Sequence, residues 1–215
     1  MKITTYISPL LEQNMYIVGE DRHCIVIDPY YDENVAVLLE NKIVDLILLT
    51  HEHYDHISGV NKFKEMYGCK LLANSKCNYN LQRPTKNFSK YFEAYYEFQS
   101  DLKKPDFDFD NNYSCSADEI FEESITFKWQ NNTVFIKVVP GHSAGGNFIF
   151  FDENTLFSGD ILLDESVPAA KFPGGNQKAF IDVALPYINT LPPDIVVYPG
   201  HGDSFSLQEY YGYIE

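Results

Sequence analysis

Seven side chains with metal-ligand chemistry fall in four short motifs. These are Thr50-His51-Glu52-His53-Tyr54-Asp55-His56, Pro140-Gly141-His142-Ser143, Ser158-Gly159-Asp160 and Pro199-Gly200-His201-Gly202. Imidazole nitrogens and carboxylate oxygens are the donors that zinc, iron and manganese take from proteins. A lone histidine is more often a satisfied core or surface group than a ligand, because imidazole serves many roles. Here five of the six histidines share three motifs, and an aspartate occupies a fourth turn of the same kind, so the set reads as one built to hold metal. The sixth, His23, sits in a strand-like stretch and is expected to be structural. In extended chain, residues two apart point the same way. His51, His53 and Asp55 are therefore expected on one side and His56 on the other, which suits two adjacent ions sharing the ligands. The spacing is not the H-E-x-x-H of metalloproteases, because Asp55 stands where the second histidine belongs, so Glu52 is not expected to be a general base.

Each motif follows an apolar stretch, and those stretches must position it. Residues 2–8, 15–19, 23–28 and 69–73 read as strands, and 43–50 is a nearly continuous apolar run suited to a strand buried on both faces. Further strands are expected at about 124–129, 133–139, 147–151, 155–158 and 195–198, with Asn131-Asn132 and Glu153-Asn154 as turns. Helical spacing marks 32–41, 58–67 ending at Gly68, and 177–191 ending before Pro192-Pro193. A strand-rich order with interspersed helices fits two packed sheets covered by helices. Ligands at strand ends, in glycine-containing turns, describe a site built from loops on a rigid sheet.

The chain has 215 residues and a formal net charge of −15. So acidic a chain is a poor candidate for nucleic-acid binding, which needs a basic face. No stretch approaches the roughly 18 apolar residues of a membrane helix. The first residues place Glu12, Gln13 and Asn14 where a signal peptide needs an apolar core. Cys24, Cys69, Cys77 and Cys115 form no C-x-x-C pair, which suits free thiols in a reducing compartment. A cytoplasmic protein acting on a small molecule, with neither nucleic acid nor membrane as partner, is expected.

The sequence resembles the metallo-β-lactamase superfamily across nearly its whole length, and within it the compact glyoxalase II-type hydroxyacylglutathione hydrolases. The matching pieces are Ile27-Asp28-Pro29, Leu49-Thr50-His51 through His56, Pro140-Gly141-His142-Ser143, Phe157-Ser158-Gly159-Asp160, Lys171-Phe172-Pro173-Gly174-Gly175 and Tyr198-Pro199-Gly200-His201-Gly202. The resemblance implies an α/β fold: a single αββα sandwich of two mixed β-sheets flanked by helices, over residues 1–215, with an aromatic-rich insertion at about 78–118. It implies that His51, His53 and His142 hold a first ion, that Asp55, His56 and His201 hold a second, and that Asp160 bridges them. Zinc is expected first, with iron or manganese as alternatives. Four charges from two divalent ions, less two from the aspartates and one from a hydroxide, leave about +1 to attract a developing oxyanion.

Several branches fit less well. No ligand position holds cysteine, unlike the cysteine-ligated β-lactamases, and flavodiiron proteins carry glutamate at the place of His53. Only 14 residues follow His201, so the C-terminal helical domain with which many glyoxalase II enzymes hold glutathione is not expected. The arginine-containing loop of those enzymes reads Val167-Pro168-Ala169-Ala170-Lys171. The expected reaction is attack of a metal-bridging hydroxide on a thioester, ester or lactone carbonyl, with Asp55 orienting the nucleophile or passing a proton. The alternative is a persulfide-type dioxygenase using one iron on two histidines and one aspartate. Asp28 is the expected outer partner of a ligand imidazole. The 78–118 segment has helical aromatic spacing, Tyr91/Tyr95/Phe98 and Phe88/Phe92/Tyr96. It packs on the sandwich, or it also caps the metals with an aromatic wall in which Tyr95 and Tyr96 meet substrate. Lys171 is the candidate for a substrate carboxylate.

Overall fold

Along most strands the apolar side chains alternate between two destinations, and that alternation sets the architecture. In β3 (His23–Ile27), Ile25 and Ile27 enter one buried layer while Cys24 and Val26 enter another. In β10 (Thr155–Gly159), Phe157 and Leu156 divide in the same way. Strands covered on both faces favour continuous apolar runs, which Cys24–Ile27 carries, whereas β10 adds only Leu156 and Phe157 between small or polar residues. The structure is a computed structural model. It describes residues 1–98, 108–163 and 172–214.

One sheet holds β1 (Lys2–Ile7), β2 (Asn14–Glu20), β3, β4 (Ile43–Leu48), β5 (Lys70–Asn74) and β6 (Glu119–Phe121), side by side in that order. Its first three strands are an antiparallel meander, and β3 to β6 are parallel. The crossovers are helical: α1 (Glu33–Leu38), then α2 (Tyr54–Ile57) and α3 (Val60–Tyr67), then α4 (Ser75–Leu81) and α5 (Ser89–Phe98). The second sheet runs β12-β11-β10-β9-β8-β7, built from β7 (Ser124–Trp129), β8 (Asn132–Val138), β9 (Asn147–Phe151), β10, β11 (Val196–Pro199) and β12 (Phe205–Ser206). Only its β10–β11 pair is parallel. Beyond short α6 (Gln177–Ala179), its outer face is covered by Phe180 and Ala184, by Ile188 of α7 (Leu185–Ile188), and by Leu207 and Tyr210 of α8 (Leu207–Ile214). The result is two mixed sheets with helices on both outsides, the αββα sandwich expected from the sequence.

Three apolar layers hold it together. Tyr16, Val18, Ile25, Ile27, Val134, Ile136, Phe151 and Phe157 fill the space between the sheets. Val35, Phe63, Leu81 and Phe92 from the helices cover the outer face of the first sheet. Ala184, Ile188, Leu207 and Tyr210 cover the second. The four cysteines are free and buried, in layers where a thiol behaves as a small apolar group. His23 pairs with Asp45 at 2.8 Å at the sheet edge, a structural contact as expected.

Two expectations are corrected. The helix at 177–191 is not one helix: α6 gives way to a wider π turn at Phe180–Ala184 before α7 begins. Pro186 has no N–H to give to Asp182, and its ring crowds that carbonyl, so a regular helix cannot run through. The motif after Thr50 is extended only as far as His53, which caps α2; Asp55 and His56 are helical. A four-residue helix is too short to show periodicity in sequence.

Phe157 lies fully buried in the middle layer, its ring 5.1 Å from that of Tyr198 and 5.0 Å from that of Tyr16. Phe157→Ala should lower unfolding stability by about 3–5 kcal/mol, read as a reduced urea midpoint at unchanged slope.

Candidate metal centre

The four ligand loops leave the C-terminal ends of β4, β8, β10 and β11, along one edge of the sandwich. All seven predicted ligands meet there. Nδ1 of His53 lies 3.1 Å from Nε2 of His51 and 2.9 Å from Nε2 of His142. Beside this trio, Nε2 of His56 lies 3.6 Å from Asp55 and 3.4 Å from Asp160, and Nε2 of His201 lies 3.5 and 3.6 Å from the same two carboxylates. Asp160 also reaches Nε2 of His142, at 3.4 Å. The donor atoms of His51, His53 and His142 lie within 4.8 Å of one another, as do those of Asp55, His56 and His201, and those of His51, His56 and Asp160. Asp160 therefore stands between two histidine groups.

Outer partners decide which nitrogen each ring presents. Asp28 accepts from Nδ1 of His56 at 2.9 Å, and from the backbone N–H and hydroxyl of Thr50 at 2.7 and 2.5 Å. With its hydroxyl proton given to Asp28, Thr50 accepts from Nδ1 of His51, 3.1 Å away. The Leu11 carbonyl accepts from Nδ1 of His201 at 2.9 Å, and the Pro173 carbonyl from Nε2 of His53 at 3.0 Å. Each of these rings thus turns its remaining nitrogen toward the cluster, the arrangement that orients metal ligands. Asp28 is the outer partner expected from the sequence. Its backbone is left-handed, at φ 54, a conformation that must be held by such contacts.

Charge and hydrogen bonding in the cluster balance poorly without a cation. His56 Nε2 and Asp160 Oδ1 are buried with no hydrogen-bond partner. Burial opposes charge on His56, but Asp55, Asp160 and Asp28 prevail and push its pKa up to about 10. Burial likewise opposes charge on His201, and Asp160 and Asp55 raise it. Burial lowers His142 to about 3 and holds His51 well below its ordinary value, helped by the neighbouring histidines. Asp160 resists burial and is held down by His201, His56 and His142. The carboxylates thus draw positive charge onto His56 and His201, where a divalent ion would offset the same carboxylates, and the donor set fits a metal pair.

Glycine makes the close approach feasible. A Cβ on Gly200 would lie 2.0 Å from Asp160 Oδ1, and one on Gly159 would lie 2.4 Å from the Thr50 hydroxyl.

The sequence model of the metallo-beta-lactamase superfamily matches residues 9–201. The chain belongs to this superfamily. A "probable metallo-hydrolase" of Streptococcus pyogenes serotype M6 is 28% identical over 213 residues, covering 96% of this chain and 86% of its own. The hydroxyacylglutathione hydrolase GloC of Haemophilus influenzae is 25% identical, with 89% and 86% covered. The fold is shared with the BLEG-1 B3 metallo-beta-lactamase crystal structure, at a TM-score of 0.78, 24% identity and coverage of 98% and 97%.

Over the metal groups of this superfamily member lies a cavity of about 270 Å³. Its lining combines His53, Asp55, His142, Asp160 and His201 with Leu11, Phe88, Phe92, Tyr95, Leu163 and Phe172. Tyr95 is at the wall, as expected. Tyr96 is not: it is buried and donates its hydroxyl to the Pro9 carbonyl, because one helical step turns it into the core. Lys171 and the 167–171 loop, like residues 99–107 of the aromatic segment, lie outside the described residues. Sequence reasoning missed Glu52. Fully buried, it accepts from Asn80 at 2.7 Å, Ser143 at 3.1 Å and the Gly145 N–H at 3.4 Å, tying the first ligand loop to the His142 loop and α4.

Asp28→Asn should weaken metal affinity by about 10–100-fold in competition with a chromophoric chelator. A second expectation concerns pH. His56 is raised above its ordinary 6.5, so its charge stabilises the metal-free protein fully below 6.5, and that contribution is lost as pH rises through about 10. Metal must displace this proton. Zinc added at pH 7 to metal-free protein in weak buffer should therefore release protons, and its affinity should rise with pH across that window.

Proposed function

We propose that the protein is a dinuclear metal-dependent hydrolase whose first substrates are thioesters, with activated esters and lactones open to the same chemistry. The observation that carries this reading is the pair of ligand groups joined at Asp160 on the floor of an apolar cavity. His51, His53 and His142 would hold one ion and Asp55, His56 and His201 the other, with zinc the expected metal. When bound, the ions supply a water acidified from about 15.7 to near 7 and a positive edge for the carbonyl oxygen.

The chain's own residues do the rest. Asp55 opens on the cavity and would orient the attacking water and accept its hydrogen bond. Asp28, Thr50 and the Leu11 and Pro173 carbonyls hold the rings still through the reaction. The cavity wall excludes water from the carbonyl. Among the described lining residues no lysine or arginine stands ready to protonate a leaving group, and Tyr95 is the one phenol. That favours a leaving group stable as an anion. A thiol ionises near 8.5, so a thiolate leaves far more readily than an amide nitrogen. Similarity to GloC, named for a thioester hydrolase activity, supports the same preference. The single-iron dioxygenase reading needs one group of two histidines and an aspartate, and has no use for the second group.

Protein purified without added metal should hold close to two ions per chain and turn over a simple thioester. His142→Ala should lose metal and more than about 100-fold of kcat/KM, beyond the usual cost of an outer-partner change. One iron per chain with oxygen uptake and no thioester turnover would move the assignment to the dioxygenase.

A further inference from the structure

We infer that the aromatic cavity is an acyl pocket for an uncharged, apolar group of aryl or arylalkyl type; this deepens, and rests on, the hydrolase reading. Three observations carry it.

The first is size and lining. An apolar cavity of roughly 150 Å³ holds benzene. The 270 Å³ here takes a phenyl ring with a short linker and a carbonyl, and leaves the thiol half of a substrate toward solvent. Leu11, Phe88, Phe92, Tyr95, Leu163 and Phe172 supply the apolar wall.

The second is charge. Among the described residues the cavity has no cationic side chain, and its two carboxylates, Asp55 and Asp160, sit in the ligand groups. A carboxylate on the acyl chain would lose water against rings of which, among the described residues, only Tyr95 carries a hydroxyl. A phenyl ring loses nothing and gains edge-to-face contacts.

The third is strain. Phe88 holds a left-handed backbone at φ 70, a conformation that glycine adopts freely and a bulky aromatic does not. Buried Asn87 imposes it: its amide donates to the Leu81 and Tyr113 carbonyls at 3.0 and 2.9 Å, and its carbonyl accepts from the Ser89 N–H at 3.0 Å. The ring that results stands 6.1 Å from the His53 ring, 5.5 Å from Tyr95 and 5.5 Å from Phe172. Tyr95 and Phe172 meet at 5.2 Å, and Phe172 stands 5.8 Å from His142. Leu11, on the wall beside His201, is left-handed too, at φ 56. Backbone strain held in place by the surrounding structure collects at ligand sites. Here it fixes Phe88 and Leu11 in a box over the metal groups before substrate arrives.

The test is equilibrium binding of ketone analogues, in which a methylene replaces the thioester sulfur, to the zinc-loaded protein. The thiol half is kept uncharged, and the acyl group is acetyl, phenylacetyl or succinyl. The phenylacetyl analogue should bind at least about 10-fold more tightly than the other two. Phe88→Gly should abolish that preference with zinc content unchanged, and should melt no lower than Phe88→Ala, since glycine relieves the backbone. Phe172→Ala, at a partly exposed ring, should weaken the phenylacetyl analogue in the same direction and serves if Phe88→Gly does not fold. Equal or tighter succinyl binding, or a preference indifferent to both rings, overturns the proposal. Thioester turnover with no acyl preference overturns the pocket and leaves the hydrolase. Ring-dependent binding without turnover supports the pocket and removes the hydrolase.

Discussion

Seven candidate ligand side chains crowd one edge of the sandwich with their donor atoms a few ångströms apart, a set that bound cations would satisfy together. His53 Nδ1 faces two other ring nitrogens, so a single proton bonds one of them and leaves the other pair repelling. Asp55 and Asp160 face each other's histidines in surroundings that penalise any unbalanced charge. Other choices in the structure follow from holding this crowd in place. Glycine is required where its neighbours come nearest, at Gly159 and Gly200. Thr50 must sit beside Gly159, because its hydroxyl links Asp28 to His51. Glu52 must be buried, because the loop carrying His142 hangs from it.

The three apolar layers act as the rigid counterpart to that polar edge. β4, β8, β10 and β11 are anchored in them, so their C-terminal ends have little freedom to drift. Metal sites lose affinity and activity when their supports are left loose, and here the supports are the Asp28 carboxylate directly after β3 and the Leu11 and Pro173 carbonyls in turns. The Asn14 amide shows how tightly the two halves are tied: it donates to the carbonyls of Pro199 and Gly202, on either side of His201, from the start of β2. The candidate ligand that follows β11, His201, is thereby held by the first sheet.

What the sequence displays depends on range. The first sheet's layers were legible because burial on both faces leaves a nearly continuous apolar run, as at 43–50. The ligands were legible because four motifs combine two rare features, a donor side chain and a strand end. Asp28 was legible as a carboxylate closing a strand. α2 was not, since four residues carry no period. Glu52 was hidden because an acidic residue between two ligand histidines looks solvent-facing until Asn80, 28 residues on, is seen to reach it. Tyr95 and Tyr96 are adjacent and alike in sequence; only the helix orientation sends one to the cavity and the other to the Pro9 carbonyl. Phe88 carries no sequence sign of strain, because the cause is Asn87 bonding both to the Leu81 carbonyl at the end of α4 and to that of Tyr113, 26 residues on.

The overall charge and the local charge then work in the same direction. A net charge of −15 surrounds a cluster of donor side chains that fits divalent metal, so the long-range field favours capture of divalent cations and opposes their loss. The same field opposes approach of anions, phosphates and carboxylates alike, by an amount that salt screens beyond about 8–10 Å. Close to the metals, the described cavity wall offers rings in place of cations. Under the proposed reading an anionic substrate would meet two barriers, the field on approach and desolvation at the described wall, whereas a neutral apolar acyl group would meet neither. Activity on glutathione conjugates, which carry carboxylates on the thiol half, would require that half to remain in solvent. The superfamily's shared metal chemistry is therefore narrowed here by the wall above it, which is where members with the same ligands have room to differ.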